Sequence, residues 1–303
     1  MNMKEITYSD YASLKKYFIN QRYMLCVYTL PSLIAWSNEY YRPCGIIEND
    51  ALIIGAEFTE EKEHRHLILP ISPSKEYSPK ELYRVANESG FDNYWFVPGN
   101  YIDTYGKKEV ESYFKINLQK EYSDYVYLKS DLSELKGNRY SQKRNLIHQF
   151  EREYVASNRI ETGEITSEVS AECIEFLEKW CIERDCDADP NEDLACEKNA
   201  IINTLNHIDI LDLKGIYLKV DGEINAFGIA TYLTNDMGVL HFEKAFTNIK
   251  GLYQYFDNLC AKTLFDGYKF INKESDMNIP GLAKVKKSYH PTMIVKSYKL
   301  VLR

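Results

Sequence analysis

Three polar residues at alternate positions near the C-terminal end are the first candidates for chemistry in this sequence. Asn272, Glu274 and Asp276 follow a short apolar run that starts at Tyr268. Alternate side chains of an extended backbone point the same way, so this spacing predicts one face with an amide and two carboxylates. Such a pair of carboxylates could supply a general base. A solvated loop is the alternative interpretation.

A short basic segment follows these carboxylates. Pro280 is typical of the first residue of a helix, and the helical pattern that it starts carries Lys286 and Lys287. We expect these two ammonium groups to hold the phosphates or the carboxylate of a substrate. Tyr289 comes just after the helix and could give a proton to a leaving group. A surface helix without a ligand is the alternative here.

A third carboxylate lies on the strand predicted over Val239 to Phe246. Alternation places His241 and Glu243 on one face of this strand and Phe242 and Lys244 on the other. Burial on a covered strand disfavours a charged carboxylate and raises its pKa, which suits a general base for an amine nucleophile. An ion pair between Glu243 and a neighbouring lysine or arginine is the alternative.

The turn between this strand and the next helix is a candidate phosphate site. Backbone N–H groups at the start of a helix have no partner within it, and together with the helix dipole they bind phosphates. Here these groups would come from Asn248, Lys250, Gly251 and Leu252. An ordinary strand-to-helix connection is the alternative.

A second basic helix is predicted over Tyr140 to Val155. Lys143 falls within its apolar stripe, whereas Arg144, His148 and Arg152 line the adjacent face at a spacing of four. A lysine on the inward side either extends along the packing surface or reaches into a cleft. The second case would make Lys143 and Arg144 an anion site, and a solvated basic face is the alternative.

Two blocks of the sequence together resemble a known family. The first is N-x-E-x-D at 272–276 with P-G-L at 280–282 and K-S-Y-x-P at 287–291, and the second is K-R-N at 143–145 followed by Phe150 and Tyr154. The family that they resemble consists of uncharacterised bacterial proteins and shares its domain with the C-terminal part of phosphatidylglycerol lysyltransferase. It resembles the acyl-CoA N-acyltransferase (GNAT) superfamily, often as two domains in tandem, as in the Fem-type aminoacyltransferases.

The resemblance implies an α/β (α+β) fold of two tandem GNAT-like domains, each a mixed sheet flanked by helices. It implies an acyl- or aminoacyltransferase, with aminoacyl-tRNA or acyl-CoA as the donor, an amine or hydroxyl acceptor and no tightly bound cofactor. The pyrophosphate of acyl-CoA would lie at the turn before Gly251, although this turn has one glycine where the superfamily usually has several. The rival hypothesis is a non-catalytic module that binds a small ligand on a degenerate duplicated fold.

Composition narrows the class of protein. The 303 residues are 45% hydrophobic and 27% charged, which is typical of a globular chain with room for two modest domains. The 45 acidic residues exceed the 37 basic ones, which argues against general nucleic-acid binding. Seven cysteines without C-x-x-C spacing indicate reduced thiols and no metal site. We expect a cytoplasmic chain without a signal peptide or transmembrane segment. Its oligomeric state stays open.

The order of predicted elements repeats along the chain. Each half consists of helices, three strands, a helix, a strand, a helix and a strand. We place the boundary at a polar stretch, with an N-terminal GNAT-like domain over residues 1–130 and a C-terminal one over 131–303 that carries the probable active site. Two signals are specific: Asp221-Gly222 predicts a two-residue hairpin, and Asp189-Pro190 predicts the start of a helix.

Overall fold

The computed structural model describes residues 2–184 and 193–303 of the chain. Of the helices in these two ranges, none combines the length and the apolar character that crossing a bilayer requires. The strands are β1 (Lys4–Glu5), β2 (Tyr41–Glu48), β3 (Ala51–Phe58), β4 (His66–Leu67), β5 (Asn93–Pro98), β6 (Phe114–Leu128), β7 (Ile160–Glu164), β8 (Lys214–Val220), β9 (Glu223–Thr234), β10 (Met237–Ala245), β11 (Phe270–Asn272) and β12 (Met293–Leu302). The α-helices are α1 (Tyr11–Leu14), α2 (Leu30–Ala35), α3 (Pro79–Ser89), α4 (Gly99–Tyr105), α5 (Lys107–Glu111), α6 (Lys129–Glu134), α7 (Ser141–Phe150), α8 (Ser167–Arg184), α9 (Asp193–Asn206), α10 (Leu252–Thr263) and α11 (Pro280–Lys287).

The described strands form one mixed sheet with a symmetric pattern of pairing. Their order is β1-β2-β3-β4-β5-β12-β6-β11-β10-β9-β8-β7. The β4–β5 and β10–β11 pairs are parallel, and the other neighbours are antiparallel. β12 therefore pairs with β5 of the first half, while β6 pairs with β11 of the second half. The two halves exchange these strands.

The apolar core follows the continuity of the sheet. Leu233, Met237 and Val239 come from the second half of the chain, yet they belong to the same buried cluster as the core of the first half. A second cluster packs α10 against the sheet, and a third packs α8 and α9 against the opposite face of β8, β9 and β10. The site described below lies where the first two clusters meet at β11.

Local signals in the sequence determine several elements. Asp221 and Gly222 both have positive φ, 53° and 87°, as a two-residue hairpin turn between twisted strands requires, so the predicted hairpin is confirmed. Pro79 is typical of the first residue of a helix and Gly90 of a C-terminal cap, and the helix that these two residues predict is confirmed. Ser78 caps its start by accepting a hydrogen bond from the Glu81 N–H, and Gly90 ends it at φ 73°.

Tertiary pairing extends one strand beyond its local pattern. The apolar run Tyr125 to Leu128 predicts a short strand, which β6 contains, but β6 begins as early as Phe114 because β12 pairs along most of its length. The polar stretch after β6 forms α6. Asp189-Pro190 lies outside the described residues, and the helix predicted after it is α9.

The start of α10 provides a test of the packing. Gly251 has φ 84°, and a Cβ built there would lie 2.1 Å from the carbonyl oxygen of Leu146 in α7. Gly251→Ala should therefore lower the free energy of unfolding by more than about 2 kcal/mol, since it adds a steric clash to backbone strain. Gly90→Ala is the control, because its positive φ adds strain but nothing lies within 4 Å of its Cβ. Equal losses in urea unfolding would contradict the packing described here.

Candidate active site

The two parallel strands of the second half separate at the centre of the candidate site. β10 and β11 pair at three positions, the last of which joins Val239 to Asn272. Beyond this pair β10 continues to Ala245, whereas the chain leaves β11 at Lys273. Backbone hydrogen bonds between these two strands end there, and polar side chains gather around the point of separation.

A buried ion-pair triad lies on the α10 side of this point. Lys273 Nζ donates to Glu243 Oε2 at 2.8 Å and to Asp257 Oδ1 at 2.6 Å. The side chains of Lys273, Glu243 and Asp257 are 13%, 6% and 3% exposed. The ion pair that the sequence left as the alternative for Glu243 is therefore present. One ammonium group serves two carboxylates, so the triad is short of positive charge.

Burial and this shortage of positive charge both affect the pKa of Glu243. Burial raises the pKa of Glu243 to about 7, and Asp257 adds to the effect while Lys273 opposes it. Burial acts to lower the pKa of Lys273, but Asp257 and Glu243 raise it well above its usual value. These shifts favour a charged Lys273 ammonium group beside a Glu243 carboxyl that binds a proton more readily than an exposed one. Glu243 Oε1 is buried and has no hydrogen-bond partner among the described residues.

Tyr289 and Lys143 join the triad from two other elements. The Tyr289 hydroxyl is buried and likewise has no partner within the described chain, and burial raises the pKa of Tyr289 well above its usual value. Lys143 Nζ lies 3.9 Å from the centre of the Tyr289 ring and donates to Ser288 Oγ at 2.8 Å. Burial lowers the pKa of Lys143. Lys143 therefore lies on the inward side, packed against the Tyr289 ring, and its role as an anion site stays a prediction.

Arg144 and Lys287 point away from this group. Arg144 Nη1 donates to the backbone carbonyls of Leu135 and Gly137, so it holds the turn after α6. Lys287 is exposed at the end of α11. Lys286 turns inward instead, and its ammonium group donates to the carbonyl oxygens of Lys273 and Ser275. These bonds fasten α11 to the segment that leaves β11.

The prediction of one face shared by Asn272, Glu274 and Asp276 is wrong. Extended backbone ends at Asn272, and Glu274 has a left-handed φ of 59°. The three side chains therefore diverge to separate partners. Those partners are the carboxylate of Asp124 for Asn272, the imidazole of His241 for Glu274 and the hydroxyl of Tyr125 for Asp276.

The predicted common face of His241 and Glu243 is also wrong. The pairing of β10 with β9 shifts between Leu240 and Phe242, which leaves His241 as a β-bulge. Leu240 and Glu243 consequently face α10, whereas His241 and Phe242 both line a small gap beside α2. The extra residue of the bulge separates Glu243 from His241 and Glu274.

A second polar group joins the halves on the side of His241. The Asp124 carboxylate accepts hydrogen bonds from the Cys26 N–H at 2.7 Å and from Asn272 Nδ2 at 2.8 Å. Asn272 Nδ2 also donates to the carbonyl oxygen of Met24. Burial raises the pKa of Asp124 to about 6, although its hydrogen bonds from Asn272 and Cys26 oppose the shift.

Asp124→Asn should remove a pH dependence of stability. Because the pKa of Asp124 is about 6 in the folded protein and 3.8 in an ordinary carboxyl, the folded state binds the proton more tightly. The free energy of unfolding therefore falls by up to roughly 3 kcal/mol as the pH rises through this interval. When urea unfolding is measured from about pH 4 to 7, the free energy of unfolding of the variant should rise relative to that of the natural protein. Asp266→Asn, on an exposed carboxylate, should follow the natural protein, and a parallel curve for Asp124→Asn would contradict the assignment.

The turn before α10 is covered by α7. Gly251 and Leu252 are buried, whereas Asn248 and Lys250 are exposed. The Leu252 N–H donates to the carbonyl oxygen of Ile249. The nearest atom to a Cβ at Gly251 is the carbonyl oxygen of Leu146, and a carbonyl oxygen is a hydrogen-bond acceptor like the oxygens of a phosphate. An anion at Gly251 would therefore meet a hydrogen-bond acceptor and not the donors that it needs.

Sequence analysis missed Lys273 and Asp257. Lys273 occupies the position between Asn272 and Glu274, where the assumed alternation pointed it away from the site. Asp257 follows Phe256 on α10 and is buried with it. A charged residue beside the apolar stripe of a helix was the signal that could have marked Asp257.

Comparison with known proteins identifies relatives along the whole chain. The sequence profile described as phosphatidylglycerol lysyltransferase, C-terminal, matches residues 100–301. Among proteins with curated descriptions, none matches the chain. A conserved protein of unknown function from Bacteroides thetaiotaomicron is 27% identical and has a TM-score of 0.87, with all of both chains covered.

Two further solved structures are similar at lower identity. The C-terminal domain of a putative lysylphosphatidylglycerol synthetase from Agrobacterium fabrum is 12% identical and has a TM-score of 0.65, with 97% of this chain and 92% of that one covered. A tandem GNAT protein from the clavulanic acid biosynthesis pathway is 5% identical and has a TM-score of 0.47, with 98% and 97% covered. The predicted α/β fold, a mixed sheet flanked by helices, is confirmed.

Proposed function

Because this chain belongs to the family of phosphatidylglycerol lysyltransferase C-terminal domains, we propose that it transfers an aminoacyl group. The donor is an activated ester of the aminoacyl-tRNA type, and the acceptor is a hydroxyl or an amine. One observation carries the proposal. Glu243 is buried where β10 and β11 separate, its pKa is about 7, and its Oε1 has no partner among the described residues.

Glu243 and Tyr289 could make the two proton transfers that this reaction needs. Glu243 Oε1 takes the proton of the acceptor while the acceptor oxygen or nitrogen attacks the ester carbonyl carbon. The new bond forms, the oxyanion collapses, and the ester C–O bond breaks. The Tyr289 hydroxyl gives its proton to the leaving oxygen, and the proton held by Glu243 restores that hydroxyl. The ammonium groups of Lys143 and Lys273 stabilise the negative charge on the carbonyl oxygen.

The surroundings of α10 favour an ester donor over acyl-CoA. A coenzyme A donor would place its pyrophosphate at the start of this helix, as the resemblance implies. Gly251 is buried there against the Leu146 carbonyl oxygen, and the turn holds one glycine. A donor that needs no pyrophosphate site is compatible with this packing.

Access to the triad requires movement of one segment. Glu243, Asp257 and Tyr289 are covered, while α11, which packs next to them, contains no buried residue. The hydrogen bonds that hold this segment include those of Lys286 to the carbonyls after β11, that of the Tyr127 hydroxyl to the Lys286 carbonyl oxygen and that between Tyr125 and Asp276. We infer that α11 moves outward when substrates bind.

Ligand stabilisation distinguishes the candidate donors. The melting temperature of the purified chain is measured with charged tRNA, uncharged tRNA, acetyl-CoA and free CoA, since a ligand that binds the folded state raises it. We expect charged tRNA to raise it most, and the protein to consume the aminoacyl ester when a hydroxyl or amine acceptor is added. Stabilisation by CoA compounds alone would overturn the ester donor. No response to any of the four would favour the non-catalytic binding module.

A further inference from the structure

Positive charge is concentrated at one end of this acidic chain. Residues 277–303 contain six of the 37 basic residues and no aspartate or glutamate, so the other 31 basic residues accompany all 45 acidic ones. This segment comprises α11, β12 and the loops beside them. Its net charge is therefore opposite in sign to that of the rest of the chain.

Large apolar side chains are exposed in the same segment. Met277, Ile279, Val285 and Ile294 are 40%, 44%, 46% and 45% exposed. Two exposed lysines, Lys284 and Lys287, lie on α11 together with Val285. We call this surface the α11 face; it comprises Met277, Ile279, Lys284, Val285, Lys287 and Ile294.

Strand pairing and hydrogen bonds place Ile279 and Ile294 around Tyr125 and Asp276. Ile294 pairs directly with Tyr125 across β12 and β6, so the two side chains leave the same side of the sheet. The Tyr125 hydroxyl donates to Asp276, and the Ile279 N–H donates to the carbonyl oxygen of Asp276. The carboxylate next to the α11 face is therefore already hydrogen-bonded.

We propose that the α11 face binds the surface of an anionic lipid bilayer. Aliphatic side chains on such a face enter the boundary between headgroups and acyl chains, and neighbouring lysines attract anionic headgroups. A single-stranded nucleic acid is the alternative polyanion, but it is bound by stacking on aromatic rings and by arginine. The six residues of the α11 face include neither.

This inference does not depend on the donor or acceptor of the proposed reaction. It concerns contact with a membrane surface and not a lipid substrate. It also gives a reason for the exposure of α11, whose inward Lys286 contacts the triad segment. Contact with a bilayer would act on the element that covers the triad.

Vesicle binding tests the proposal without any donor. The purified chain is sedimented with vesicles of phosphatidylcholine alone, of phosphatidylcholine with phosphatidylglycerol, and of phosphatidylcholine with phosphatidylserine. We expect binding to both anionic mixtures and none to phosphatidylcholine alone. Lys284→Gln with Lys287→Gln should weaken binding about tenfold to thirtyfold, because each lysine near the surface contributes attraction to the headgroups. Ile279→Ser with Val285→Ser should weaken it about tenfold through lost apolar contact.

A matched pair of exposed residues elsewhere serves as the control. Ile19 and Ile47 are 53% and 52% exposed, so Ile19→Ser with Ile47→Ser should leave vesicle binding unchanged. Equal weakening in this control, or no binding to either anionic mixture, would overturn the proposal. Binding to phosphatidylglycerol alone would also overturn it, because it would indicate recognition of one headgroup. The proposal would also be overturned if the chain bound tRNA but no vesicles, and if Lys284→Gln with Lys287→Gln abolished the tRNA binding.

Discussion

Glu243→Gln should lower the rate of aminoacyl transfer by about 10²–10⁴-fold while the protein stays folded. Glutamine has the shape of glutamate, and its side-chain oxygen can still accept the hydrogen bond from Lys273. It cannot accept a proton from the acceptor, so the step that the proposed base assists is lost. The rate is measured as transfer of label from the aminoacyl ester to the acceptor at saturating donor.

The pH profile separates this role from a structural one. Because burial raises the pKa of Glu243 to about 7, the rate of the natural protein should rise as the pH passes through that value and the base loses its proton. This rise should be absent from Glu243→Gln. Glu223→Gln, at the exposed start of β9, should keep both the rate and the rise. A Glu243→Gln protein that retained them would rule out Glu243 as the base.

Lys273→Ala should lower the free energy of unfolding by about 3–5 kcal/mol, since it leaves buried charges without a partner. Glu243 and Asp257 bind no other ammonium group within 4 Å among the described residues. The loss should shrink towards acidic pH, where Glu243 binds a proton more readily. Urea unfolding at two pH values measures both effects.

Two variants check this explanation of the Lys273 effect. Adding Asp257→Asn to Lys273→Ala should recover part of the stability, because it removes one of the two stranded carboxylates. Lys262→Ala, on the exposed side of α10, should change the free energy of unfolding by less than about 0.5 kcal/mol. An unrecovered double variant would mean that the alanine acts through a cavity and not through charge.

The sequence was informative wherever local chemistry determines the outcome. The positive φ angles of the Asp221-Gly222 turn and the capped helix from Pro79 follow from the residues themselves. The inward position of Lys143 follows from its place in an apolar stripe. The ion pair of Glu243 was foreseen as an alternative, although its partner Lys273 was not.

The errors share a physical origin in the backbone geometry of the site. A single extra residue at His241 and the left-handed φ of Glu274 reverse the faces that strict alternation assigns. Neither feature has a glycine or proline to mark it. The backbone adopts both because surrounding hydrogen bonds hold it there, among them those to Thr29 and Asn272. The bond between Thr29 and His241 joins distant parts of the chain, so no local window of sequence contains it.

The exchange of β6 and β12 has a consequence during synthesis. On a ribosome, residues 1–128 emerge first but cannot complete their own sheet, because the neighbour that β5 needs is β12, at residues 293–302. Until β12 is synthesised, the backbone groups of β5 on that side are unpaired and could pair with a non-native strand. Two fragments separated between the halves would each have strands without their neighbours, and these strands would pair only when the two fragments are mixed.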